Sequence, residues 1–109
     1  MLEGHDLDRA YAALADPTRR MLLERLQAGE ARITDLARPL PLTFAGVSHH
    51  VAILEAAGLV RREIRGREHW LSVRPEGLQE AGNWIAEQTG FWSRRVDALA
   101  ARLERRNRR

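Results

Sequence analysis

The spacing of apolar positions along this chain changes twice, and the changes divide it into elements. Leu7, Tyr11 and Leu14 recur three to four residues apart, which predicts a short amphipathic first helix. Asp16-Pro17 supplies a capping acid and a proline suited to the first helical position, so a second helix is expected at about 17–27. It presents Met21, Leu22, Leu23 and Leu26, and Ala28-Gly29 ends it. A brief third helix, roughly 33–38, carries Ile33, Leu36 and Ala37 and stops at Pro39, because proline disfavours helical geometry in the residue before it. The fourth runs from an N-cap at Thr43 to Ala57 and closes at Gly58. Within it Val47, Val51 and Leu54 share one face, while Ala45, Ser48, His49 and Ala52 share the opposite one.

The period then shortens. Residues 59–64 and 68–73 are short β-branched or aromatic runs separated by Arg65-Gly66-Arg67, the pattern of a β-hairpin with glycine at its tip. From Pro75 to about Leu103 helical spacing returns: Leu78, Ile85, Trp92 and Leu99 lie seven apart, and Gly82, Thr89, Val96 and Leu103 follow each by four. The expected fold class is therefore mainly α with a small β-hairpin, in the order helix, helix, helix, helix, strand, strand, helix. Two short helices joined by a tight turn, with a hairpin directly after the second, form a winged helix-turn-helix. One domain is expected over residues 1–103, followed by a basic tail, 104–109, that lacks apolar partners and is expected to fray.

Composition narrows the classes. With 109 residues, 44% hydrophobic and 30% charged, the chain reads as one globular domain with a modest core. No apolar run approaches the roughly 20 residues of a membrane span, and the N-terminal stretch is acidic and amphipathic rather than a signal peptide. A cytoplasmic location is expected. The absence of cysteine removes disulfides, thiolate metal ligands and a cysteine nucleophile. The net charge of +3 is unevenly placed: residues 94–109 carry seven arginines against Asp97 and Glu104, a net +5, leaving −2 for residues 1–93. Overall charge is thus no argument for nucleic acid, and local clusters must supply one.

Two stretches carry a family resemblance. Residues 13–20, ALADPTRR, resemble the opening of the ArsR family of bacterial winged-helix repressors, and residues 47–60, VSHHVAILEAAGLV, resemble that family's recognition helix running into its wing. The likeness extends over about residues 7–103, and Trp84, Phe91 and Trp92 resemble a branch without metal sites. It implies a homodimeric repressor of double-stranded DNA that pairs through its first and last helices, puts its fourth helix in the major groove and lays its wing on the backbone or minor groove. Leu7, Tyr11 and Leu14, with Leu78, Ile85, Trp92, Val96 and Leu99, are the expected dimer interface.

The expected DNA surface is Thr43, Ala45, Gly46, Ser48 and His49 on the fourth helix with Arg62, Arg65 and Arg67 on the wing. Thr43, Ser48 and His49 can hydrogen-bond to bases or phosphates, Ala45 can meet a thymine methyl, and Gly46 permits close backbone approach. The helix departs from the family in presenting Phe44-Ala45-Gly46 after its cap and no outward Arg, Lys, Asn or Gln, so shape, methyl contacts and water carry more of the reading. Phe44 has two placements open to it, packed toward the preceding turn, which is favoured, or exposed near the groove. His50, beside the Val47/Val51 face, is expected to be partly buried and hydrogen-bonded. His49 and His50 diverge by about 100°, which does not suit one metal.

The family's cysteine site beside the third helix has no thiolate here, and residues 75–109 contain no histidine for its second site. No metal, cofactor or catalytic residue is expected. The aromatic stripe is read as interface or core rather than an effector pocket, and no effector is legible. The competing function is a winged-helix module that binds a partner protein and has little DNA affinity.

Overall fold

The computed structural model describes residues 4–108. Met1 to Glu3 of the expected domain and Arg109 of the expected tail lie outside the described residues. The elements are α1 (Gly4–Leu14), α2 (Pro17–Leu26), β1 (Ala31–Arg32), α3 (Ile33–Ala37), α4 (Phe44–Ala56), β2 (Val60–Arg65), β3 (Glu68–Val73) and α5 (Pro75–Asn107).

Local chemistry sets the helix starts. Asp16 caps α2 by accepting from the Arg19 amide at 3.1 Å, and Pro17 follows where its missing N–H costs nothing. Thr43 caps α4 the same way, its Oγ1 accepting from the Gly46 amide at 3.0 Å. The hairpin joins through Gly66 at φ +64°, a conformation that glycine adopts without penalty.

The structure adds one strand to the expected order. Ala31 and Arg32 pair antiparallel with Leu71 and Trp70, so the hairpin is part of a three-stranded sheet, β1-β3-β2. Two residues are too few to show alternation in sequence. The register of β2 on β3 pairs Arg62 with Leu71 and Glu63 with Trp70. Arg62 therefore shares the α4-facing side of the wing with buried Val60 and Leu71, while Glu63, Arg65, Glu68 and Trp70 share the outer side.

The core lies between α1 to α4 and the inner face of the sheet. Leu22, Val47, Val51, Leu54, Leu59 and Leu71 are fully buried, and no buried polar side chain lacks a partner among the described residues. The Val47, Val51 and Leu54 stripe anchors α4 as the period predicts.

Helix α5 behaves differently. It passes the expected end at about 103 and runs to Asn107, with Arg105 and Arg106 in its last turn, where positive charge meets the helix dipole favourably. Ala81 is the one buried residue it contributes among those described. The chain measures 74 × 29 × 21 Å with a radius of gyration of 19.8 Å. A compact chain of this length has a radius near 13 Å, so α5 projects from the body as an arm. Among the described residues no helix is long and apolar enough to cross a membrane.

Candidate nucleic-acid interface

The turn between α3 and α4, residues 38–43, delivers α4 with its N-terminal end outside the core. Thr43, Phe44, Ala45 and His49 are exposed, while Gly46 and Ser48 are half-buried. Phe44 is 53% exposed, so of its two placements it takes the exposed one and not the favoured packing on the preceding turn. Packing begins only at Val47, so the first helical residue stands beyond the body, and Leu42 beside it is 42% exposed. Gly46 also has a different role from the one expected. A Cβ there would lie 3.3 Å from the Thr43 hydroxyl oxygen, so the glycine keeps the cap tight.

His50 points inward as expected, and its partner explains the ADPTRR stretch. Arg19 donates from Nη1 to His50 Nδ1 at 3.1 Å, from Nε to the Ala13 carbonyl at 2.7 Å and from Nη2 to the Ala12 carbonyl at 3.1 Å. Arg20 donates to the Leu14 carbonyl at 2.7 Å. The open carbonyls at the end of α1 are thus closed by two guanidiniums from α2, one of which also holds α4. A guanidinium only donates, so His50 Nδ1 is the acceptor of this hydrogen bond. The backbone amide of Arg19 holds the Asp16 carboxyl below its usual range, helped by the Arg19 charge; desolvation opposes them. Residues 31 positions apart make the Arg19–His50 contact, and nothing in the sequence pattern singles it out.

The wing arginines separate into two kinds. Arg62 donates from Nε and Nη2 to Glu55 Oε1 at 3.1 and 2.7 Å and from Nη1 to His69 Nδ1 at 3.0 Å, which ties the base of the wing to the last turns of α4. Arg65 is held on the outer side of the sheet: it grips both Glu30 oxygens at 3.0 and 2.9 Å, reaches Glu63 at 3.0 Å and lies 4.9 Å from the Trp70 ring centroid. Arg32 lies 5.9 Å from the same ring and pairs with Asp35 and Glu68. The Arg65 hydrogen bond keeps the Glu63 carboxyl below its usual range. Arg67, at the tip, is exposed and has no hydrogen bond or ion pair among the described residues. Of the three arginines expected at DNA, the structure leaves this one free and binds the other two internally.

Known proteins share this arrangement. A helix-turn-helix domain family matches residues 14–63. The HTH-type transcriptional regulator Rv2034 of Mycobacterium tuberculosis (strain ATCC 25618 / H37Rv) is 35% identical over 97 residues, covering 89% of this chain and 88% of that protein. The transcriptional repressor SdpR of Bacillus subtilis (strain 168) is 29% identical over 79 residues, covering 72% and 88%. The crystal structure of an ArsR family transcriptional regulator superposes with a TM-score of 0.79 at 33% identity, covering 84% of this chain and 95% of that one. The chain belongs to the ArsR family. It is a winged helix-turn-helix transcriptional regulator.

In this ArsR-family chain the residues expected at a dimer interface fall into two groups. Tyr11 donates its hydroxyl to the Ala81 carbonyl at 2.6 Å and meets Trp84 edge-on at 6.0 Å, while Leu14 and Leu78 pack on the core. They fasten α1 to the root of α5 within one chain, and Leu7 is half-buried on α1. Ile85, Trp92, Val96 and Leu99 instead point away from the body at 51–62% exposure. With Trp84, Phe91 and Leu103 they make an apolar face along the arm. Among the described residues no three His, Asp or Glu side chains gather as a metal site would require.

Proposed function

We propose that this ArsR-family regulator binds operator DNA as a homodimeric repressor, with α4 in the major groove and the wing tip on the phosphate backbone. The observation that carries the reading is the outer surface of α4. From Thr43 to Ala52 it bears no acidic side chain, and the first acid of the helix, Glu55, is already neutralised by Arg62. A helix so presented, with its positive dipole end outward and an unpaired Arg67 on the adjoining wing, suits a polyanion. The Arg62–Glu55 tie then sets the angle between helix and wing.

The arm supplies the second copy. Leu78, Gly82, Ile85, Thr89, Trp92, Val96, Leu99 and Leu103 alternate steps of four and three, the seam of paired helices. Residues 75–93 carry Glu76, Glu80 and Glu87 without an arginine, and residues 94–108 carry six arginines against two acids, so antiparallel arms set opposite charges side by side.

Selection from random duplexes tests the reading. A two-fold symmetric motif with half-sites about one helical turn apart is expected. No enrichment would overturn it and favour a winged-helix module that uses the aromatic arm to hold a different protein.

A further inference from the structure

We propose that Phe44, flanked by Leu42 and Ala45, is a specificity-determining residue that reads thymine C5-methyl groups in the major groove. The inference rests on the reading of α4 as the groove-entering helix, and it commits the exposed apolar start of that helix to DNA.

Three observations converge on it. Phe44 and Leu42 are 53% and 42% exposed and contribute nothing to the core, so stability does not account for them. They stand at the N-terminal end of the helix, the part of a recognition helix that meets base edges. The hydrogen-bonding groups there are few. The Thr43 oxygen is engaged with the Gly46 amide, and on the outward face Ser48 and His49 remain, with no guanidinium or amide for bidentate recognition of guanine or adenine. Leu42, Phe44 and Ala45 are all exposed at this end, so the leading surface of the helix is apolar ahead of Ser48.

The major groove offers such a surface one distinguishing partner. Each base pair shows a different set of donors and acceptors there, but the C5-methyl of thymine is the apolar mark, and phenylalanine and alanine side chains contact it. Burying that methyl against the ring removes apolar surface of both partners from water. Specificity built this way favours sites with thymines at fixed positions in each half-site and needs little hydrogen-bond chemistry from the protein.

The test uses the most enriched duplex from the random selection, with each thymine replaced in turn by uracil, which deletes only the methyl. The whole 109-residue chain is expected to bind about fourfold more weakly when the uracil falls at one or two positions per half-site, the loss expected for one buried methyl, and equally elsewhere. In Phe44→Ala the thymine–uracil difference at those positions is expected to vanish, and in Phe44→Leu to shrink. The leucine variant keeps the comparison available if the alanine variant folds poorly. Equal binding of thymine and uracil duplexes by the unmodified protein would overturn the proposal while leaving the DNA reading intact. So would a Phe44→Ala variant that weakens both duplexes by the same factor, which would mark a purely structural residue or a contact with another protein. A selection that enriches no duplex would overturn both readings at once.

Discussion

The winged body buries Leu22, Val47, Val51, Leu54, Leu59 and Leu71 completely, whereas the arm beyond Ala81 leaves Ile85, Trp92, Val96, Leu99 and Leu103 at least half exposed. The residue types are much alike in the two regions, so composition does not distinguish them. What differs is the number of elements facing each side chain. In the body, four helices and a sheet close on one another. In the arm a single helix runs on alone, and each large apolar side chain forgoes about half of the roughly 1.5–3 kcal/mol that full burial yields. Folding of the body is therefore complete within one chain, and the arm holds a driving force that a second chain can use.

The largest expected effect belongs to the body. Leu54→Ala opens a cavity where α4 meets the rest of the core, from a residue with no exposed surface. A loss of about 2–5 kcal/mol is expected in denaturant unfolding. Leu99→Ala, at a site 57% exposed on the arm, is expected to cost far less in an isolated chain. Equal losses at high dilution would break the comparison.

Trp92→Glu addresses the arm directly. Trp92 is 61% exposed, so the charged side chain stays in water in one chain and is buried only on pairing. Loss of a central tryptophan from an interface costs 2 kcal/mol or more, about thirtyfold in dissociation constant. Sedimentation is expected to show monomer at concentrations where the unmodified protein is dimer, with unchanged helical content. An intact dimer would remove the arm from assembly.

Gly77 lies at the boundary of the two regions and joins their fates. A Cβ there would overlap the carbonyl oxygen of Gly58, a backbone atom that cannot swing aside. Gly58 itself ends α4 at φ +74°, so the close approach of two glycines sets the root of the arm against the end of α4. Gly77→Ala is expected to cost about 1–3 kcal/mol and to weaken DNA binding by tilting α5 relative to α4. If unfolding is unaffected while dimerisation fails, the joint matters to the arm alone.

The body was legible in sequence where periodicity rules, and less so where distant residues meet. Val47, Val51 and Leu54 announce the buried face of α4 because a helix repeats every 3.6 residues. The strand Ala31–Arg32 is two residues long and leaves no pattern, so its pairing with β3 emerges only from the fold. The sequence pattern leaves Phe44 open between packing and exposure, and a position at the first helical residue has no neighbouring turn to cover it. Charge counting brought Arg62 and Arg65 to DNA with Arg67. It had no means of knowing that Glu55 and Glu30 come within 3 Å of the first two. On α5 the seven-residue repeat marked one continuous stripe, and the structure shows its root covered by α1 and the rest open.

The smallest expected effect separates two arginines of the wing that composition treats alike, and it asks whether the body meets DNA independently of the arm. Arg67 has no partner among the described residues, while Arg65 is shared between Glu30 and Glu63. An arginine that neutralises one phosphate adds about 0.9 to the slope of log affinity against log salt for each contact. Arg67→Ala is expected to lower that slope by about 0.9 per wing engaged and to weaken binding to all duplexes alike, with sedimentation unchanged. Arg65→Ala is expected to weaken binding as well, since it leaves two carboxylates unneutralised near the tip, but to leave the slope where it was, because no phosphate contact is lost. Measured between low and moderate salt, the two variants should therefore differ in slope more than in affinity. Identical slopes would mean that DNA draws Arg65 away from Glu30 and Glu63, and the wing would then act with both guanidiniums.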